Sequence, residues 1–273
     1  MNFADDLYRV ATWAAHRVTA WNTGGEGIHS PYLFEWVRMV MYDTHAYYAW
    51  NDIEKRRAAM LRAPKLIDYV DYGSAGGAGQ HRTRKVRDIA KGDLEPRQYG
   101  ELLFRLVNWL GHQLRCEQGR SLNIIELGTS LGITAAYMAM ADSRNDVLTF
   151  EGCPAVAEMA RWNWTKLGIN NIVCVEGDID VTLAQHLPEV VDIAFVDANH
   201  TQEASVRYFD TIAKHTHRKS VVVVDDIYHS RSMHTAWQTI CAREEVTSTI
   251  DLWKMGLVFF DPDYLHKNYK LRI

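Results

Sequence analysis

The chain has 273 residues, 47% of them hydrophobic and 23% charged, with a net charge of −4, enough apolar material for one large α/β domain or a catalytic domain with a helical extension. No apolar run approaches the roughly 20 residues of a membrane span, Met1–Ala20 carries Asp5, Asp6, Arg9 and Arg17 where a signal peptide would be apolar, and the acidic balance disfavours a nucleic-acid partner. A cytoplasmic protein is expected, and Cys116, Cys153, Cys174 and Cys241 lack the spacing of a disulfide framework or a zinc knuckle.

In chain order, residues 1–66 read as helices. Val10, Trp13, Ala14, Val18 and Trp21 recur at helical spacing, and 31–42 and 52–62 continue similarly. A glycine-rich stretch at 21–31 connects them. A second, at 71–80, lacks the Gly-Lys-Ser/Thr of a phosphate loop; it is either a flap over a site or a connector. Arg82, Arg84, Lys85, Arg87 and Lys91 follow and read as a solvated helix face. Residues 1–94 are thus expected to be a helical extension serving as substrate cap or lid, and 95–273 the catalytic domain. After a helix over 96–114, short apolar runs alternate with amphipathic ones, the signature of a parallel sheet covered by helices. Strands are expected at 123–127, 146–150, 172–175, 191–197, 220–225, 247–252 and 256–260. The uniformly β-branched Val221–Val224 run marks a central strand, and the last two strands, separated by Trp253-Lys-Met, an antiparallel hairpin at one edge.

The first of these strands runs into Glu126-Leu-Gly-Thr-Ser-Leu-Gly132. Gly128 permits a turn with positive φ and leaves the backbone open to a ligand, and Thr129 and Ser130 are placed to cap the next helix. Glu151 ends the second strand about 20 residues on, the distance at which an acid reads ribose hydroxyls; it also precedes a new helix, where an acid is common. Gly177 and Asp178 follow the third strand, and Asp178 either accepts from an adenine amino group or forms a turn. Asp197, Asp225 and Asp226 stand at the carboxyl ends of the fourth and fifth strands. Three close carboxylates repel unless protonated or bridged, so they read as oxygen ligands of Mg²⁺ or another divalent cation, unless one is a cap. His200 and His229 follow the same strand ends and offer a mixed His/carboxylate site, with His200 a candidate general base. His215, His217 and His234 read as surface residues, and Tyr228 and Trp237 as packing or pocket walls.

Glu126–Gly132 resembles motif I of class I S-adenosylmethionine-dependent methyltransferases, and seven strands ending in an antiparallel hairpin are similar to their Rossmann-like sheet. Asp197 with His200, and Asp225 with Asp226, resemble the D-x-x-K and D-N pairs of the catechol and caffeoyl-CoA type O-methyltransferases, with His in the lysine position and Asp226 in that of the amide. The resemblance covers roughly residues 95–260; Gly27-Ile-His-Ser-Pro31, outside it, looks like an uncharacterised bacterial methyltransferase group. It implies S-adenosylmethionine on Glu126, Gly128, Thr129, Ser130, Gly132, Glu151, Gly177, Asp178 and Asp197, a divalent ion on Asp197, Asp225 and Asp226, and catalysis by His200 with Asp197. The implied activity is methylation of a small-molecule hydroxyl. Three rivals remain: a methyltransferase acting on RNA or protein without metal, a nicotinamide-dependent oxidoreductase, for which a third motif glycine after Gly132 is missing, and a non-catalytic S-adenosylmethionine-binding protein. A homodimer is compatible with the sequence, and the acceptor is not legible in it.

Overall fold

The computed structural model describes residues 3–20, 24–25, 27–71, 80–263 and 267–273. In chain order these form α1 (Phe3–Thr19), α2 (Pro31–Trp36) with a π-helical turn Val37–Met41, α3 (Tyr48–Met60), β1 (Leu66–Asp71), β2 (Gln80–Lys85), α4 (Val86–Asp93), α5 (Arg97–Gln118), β3 (Asn123–Leu127), α6 (Ile133–Ala141), β4 (Asp146–Glu151) and α7 (Pro154–Leu167). There follow β5 (Ile172–Glu176), α8 (Ile179–His186), β6 (Ile193–Val196), α9 (Gln202–Ala213), β7 (Val221–Asp225), α10 (Arg231–Cys241), β8 (Ser248–Asp251), β9 (Met255–Phe259) and β10 (Lys267–Lys270). Compactness divides the chain into Met39–His186 and a second unit of Met1–Arg38 with Leu187–Ile273.

In the unit 39–186, β3, β4 and β5 run parallel with β4 central, and Glu126 pairs with Thr149 and Glu151 with Glu176. Ile124, Ile125 and Leu127 are fully buried, as a strand covered on both faces requires. Helix α5 crosses α6 at Gly100, where a Cβ would stand 2.6 Å from the Tyr137 ring. Around that crossing Trp50, Ile53, Phe104, Ala135, Ala136 and Trp164 form one apolar cluster, and the Tyr137 hydroxyl donates to Glu54 Oε1 at 2.7 Å.

The stretch expected to be a glycine-rich loop at 71–80 followed by a basic helix face contains an antiparallel hairpin, β1 with β2, from Leu66 opposite Lys85 to Asp71 opposite Gln80. Arg82 and Arg84, two apart on one strand, share a face with Tyr69 and lie 5.3 and 4.7 Å from its ring centroid. Charged stems stacking on an aromatic cross-strand partner thus overrode the helical reading of this basic run. Of that run, only Arg87 and Lys91 are helical. The suggested flap at 71–80 falls on 72–79, outside the described residues.

In the other unit β6 and β7 are parallel, β9 is antiparallel to both β7 and β8, and β10 lies parallel to β8. The expected antiparallel hairpin is β8 with β9, but it is not an edge, because a further strand, β10, covers the outer side of β8. Val221–Val224 are buried in β7, between β6 and β9. Helix α10 lies on β9 at Gly256, where a Cβ would meet the Trp237 ring at 2.4 Å. Helix α1 docks by its polar side: the Tyr8 hydroxyl contacts His234 Nδ1 at 2.5 Å, Trp253 Nε1 donates to Thr12 Oγ1 at 3.4 Å, and His16 lies against Asp251. Val10, Trp13 and Val18 face solvent. Among the described residues no helix is long and apolar enough to cross a membrane.

Candidate active site

The first constellation lies in unit 39–186, at the carboxyl ends of β3, β4 and β5. Gly128 turns with φ +92° and Gly132 with +74°, and Ser130 between them is held at +46°. The Gly128 and Thr129 amides both donate to the Phe150 carbonyl at 3.1 Å, pinning the turn to β4. Gly132 is needed for space as well as for its dihedral: a Cβ would stand 2.6 Å from Trp164 Nε1, which donates to the Gly132 carbonyl at 2.7 Å.

Thr129 and Ser130 do not cap α6 with their side chains; Gly132 is the N-cap, without a side-chain bond. Thr129 Oγ1 instead lies 2.5 Å from Thr149 Oγ1, whose proton goes to Glu126 Oε2 at 2.6 Å. The Glu126 carboxyl also faces the Ala135 amide in the first turn of α6, where helix N-termini favour an acid. Burial pushes the Glu126 carboxyl up to about 8, against these two hydrogen bonds and with the Glu151 charge adding. Glu151 folds back over the turn. Its Oε2 accepts from the Ser130 amide at 2.9 Å and its Oε1 from the Cys153 amide at 2.8 Å, and burial lifts it to about 7 against those bonds. Each oxygen keeps a second lone pair for a ligand hydroxyl. Gly177, at φ +132°, donates to the Glu151 carbonyl at 3.0 Å. Asp178 is exposed, and its Oδ1 accepts from the Asp180 amide at 3.0 Å, starting α8.

The second constellation lies in the other unit, after β6 and β7. His200 Nε2 is 3.5 Å from Asp197 Oδ1, and its ring stacks on His229 at 5.6 Å with 23° between planes. His229 Nδ1 is 3.5 Å from Asp226 Oδ2. A carboxylate oxygen of Asp225 lies within 4.8 Å of one of Asp197; Asp226 does not join that group. Asn199, His200, Asp226 and Trp253 all hold positive φ, at +63°, +27°, +52° and +70°. Such strain in non-glycine residues gathers at functional sites.

The residue that the sequence alone did not single out is Lys254. Its Nζ donates to Asp225 Oδ2 at 2.6 Å and to Asp226 Oδ1 at 2.9 Å. Antiparallel pairing of β7 with β9 sets Met255 opposite Asp225, so the preceding residue reaches both acids; strand order was the missing signal. Burial pushes the Asp225 carboxyl up, the Lys254 ammonium opposes this, and the charges of Asp197 and Asp226 add to it. For Asp226 burial acts the same way but is outweighed by His229, Lys254 and His200, which hold it well below the usual carboxylate range. Burial lowers His200, with Asp226 opposing, which favours a neutral imidazole able to accept a proton.

Other sequence candidates serve packing. Tyr228 donates to Asp251 Oδ2 at 2.8 Å, Trp237 covers Gly256, and His217 Nε2 holds buried Asp192 at 2.8 Å.

Residues 125–227 match a family model described as a methyltransferase domain. No curated protein matches the chain. Among solved structures it is similar to the S-adenosylhomocysteine-bound methyltransferase PaMTH1 of Podospora anserina, at 15% identity and TM-score 0.55 over 85% of this chain and 96% of that one. An O-methyltransferase of Bacillus cereus in complex with S-adenosylhomocysteine matches at 18% identity and TM-score 0.54, over 82% of this chain and 98% of that one. The O-methyltransferase TomG of Streptomyces achromogenes, in complex with S-adenosylmethionine, matches at 20% and 0.51, over 62% and 82%. The α/β fold is thus the Rossmann-like one of methyltransferases.

Proposed function

We infer that this chain, an enzyme carrying a methyltransferase domain, transfers the methyl group of S-adenosylmethionine to a hydroxyl oxygen of a small molecule. The observation that carries the donor assignment is the Glu126–Gly132 turn, with three residues at positive φ and Glu151 folded onto its Ser130 amide. Bound there, S-adenosylmethionine would supply an electrophilic sulfonium methyl. Glu151 is the acceptor for the ribose hydroxyls, Asp178 for the adenine amino group, and the glycines let the backbone approach the ligand. Buried Glu126, lifted toward its neutral form, holds the turn to β4 and to the start of α6 through Thr149 and the Ala135 amide.

Acceptor handling falls to the second constellation. With its Nε2 proton directed at Asp197, His200 presents Nδ1 as the base that takes the hydroxyl proton, and Asp197 stabilises the imidazolium formed. Held on the first constellation, S-adenosylmethionine would supply its methyl to the deprotonated oxygen and would leave as the thioether S-adenosylhomocysteine. Support for oxygen as nucleophile comes from the His200–Asp197 pair, a base suited to a hydroxyl. The divalent ion implied by resemblance would sit on Asp197, Asp225 and Asp226. Lys254 already occupies oxygens of two of these, so the donor set does not fit an ion and no step is routed through one.

Calorimetry with S-adenosylhomocysteine on the full chain tests the donor site. Binding is expected, with Glu151→Gln weakening it by about tenfold or more, as loss of charged hydrogen bonds does. Binding of NADH in place of S-adenosylhomocysteine would overturn the assignment.

A further inference from the structure

We propose that Lys254 is a built-in cation that stands in place of the divalent ion implied by the sequence resemblance, so that this enzyme works without one. Asp225 is almost fully buried, and the Lys254 side chain is itself only 17% exposed. Their contact at 2.6 Å, with the second to Asp226 at 2.9 Å, places one ammonium on two adjacent carboxylates. Asp225 Oδ2 and Asp226 Oδ1 are thereby taken, so a cation shared by these two acids would have to displace the ammonium. Asp226 has further company in His229, and its left-handed backbone turns its carboxylate toward Lys254 rather than toward the Asp197–Asp225 group.

An ion on the remaining Asp197 and Asp225 oxygens would share Asp225 with Lys254, and the like charges repel. The lysine is also held from its own backbone: the Lys254 carbonyl accepts from the Ile227 amide at 3.2 Å, and its amide donates to the Leu252 carbonyl at 3.0 Å. It therefore acts as a positioning residue. It neutralises and orients Asp225 and Asp226, which frame the strained loop bearing His200. The consequence for turnover rests on the methyl-transfer reading; the metal preference of the cluster does not.

The test uses the metal alone. Mn²⁺ is titrated into the chelator-stripped full chain and followed by electron paramagnetic resonance. The wild-type protein is expected to bind more weakly than about 1 mM, at the weak end for carboxylate sites. Lys254→Gln and Lys254→Met are expected to gain one site at least about tenfold tighter, because each frees two carboxylates. Lys254→Arg, which keeps the charge, is expected to stay metal-free. S-adenosylhomocysteine calorimetry and thermal melting on the same samples report separately on the donor site and on folding, so failure of the methyl-transfer reading is distinguishable. Tight stoichiometric Mn²⁺ binding by the wild type overturns the proposal, a measurement that needs no variant to fold. So does a folded Gln or Met variant that binds no more tightly than the wild type.

Discussion

Replacing Gly132 by Ala strikes the Glu126–Gly132 turn at two independent points. The dihedral of +74° lies where an L-residue pays roughly 1 kcal/mol or more. The added Cβ would stand 2.6 Å from Trp164 Nε1 and 2.7 Å from its Cε2, and displacing a packed indole costs about 1–3 kcal/mol. Moving that ring also lengthens the 2.7 Å bond from Trp164 to the Gly132 carbonyl, worth about 1 kcal/mol. Together the loss is about 3–5 kcal/mol, a melting temperature lower by about 10 °C. Urea unfolding of G132A, W164L and the double variant measures it. In the W164L background the steric and hydrogen-bond parts vanish, so the alanine is expected to cost only about 1 kcal/mol, a coupling of about 2 kcal/mol or more. A G132A protein within about 1 kcal/mol of wild type, or costs that simply add, would refute the packing account of this glycine.

The buried Glu126 predicts a pH dependence of stability. Its carboxyl is raised from 4.5 to about 8 in the folded protein, so its contribution is complete below 4.5 and is lost as pH rises through about 8. Glu126→Gln should flatten the stability curve over that window and be the more stable protein at its alkaline end, as read by urea unfolding; an unchanged curve would mean the carboxyl titrates normally. His200→Ala should lower kcat by about 10²–10⁴ in S-adenosylhomocysteine release with a catechol panel. The acid limb of the wild-type rate should lie below the ordinary histidine value of 6.5, because burial lowers His200; full activity in the alanine variant would dismiss the base. Asp251→Ala removes the acceptor of Tyr228, His16 and the Trp253 amide. It should cost about 3 kcal/mol and free the α1 amides to hydrogen exchange, and unchanged protection there would contradict the docking described.

Local pattern carried far in this chain because burial imposes a period on neighbouring residues. The strand cores from Asn123 to Phe259 were legible to within a residue or two, since Val221–Val224 or Ile193–Val196 can only be covered strands. The glycine turn was legible for the same reason: Glu126 to Gly132 is contiguous, and its backbone follows from its own glycines. What local pattern misjudged was governed by partners far away in sequence. Arg82 and Arg84 became strand residues because Tyr69 lies across from them. Helix α1 turned Tyr8, Thr12 and His16 inward because His234, Trp253 and Asp251 offered hydrogen bonds there.

By itself, then, the sequence determined the alternation of strand and helix, the glycine turn and the acids at the strand ends, all encoded in runs of adjacent residues. Only the tertiary structure decided what those acids hold. An antiparallel β9 beside β7 brings Lys254 onto Asp225 and Asp226 across 28 or 29 positions of chain, and an ammonium there answers the repulsion that the sequence alone assigned to a metal ion.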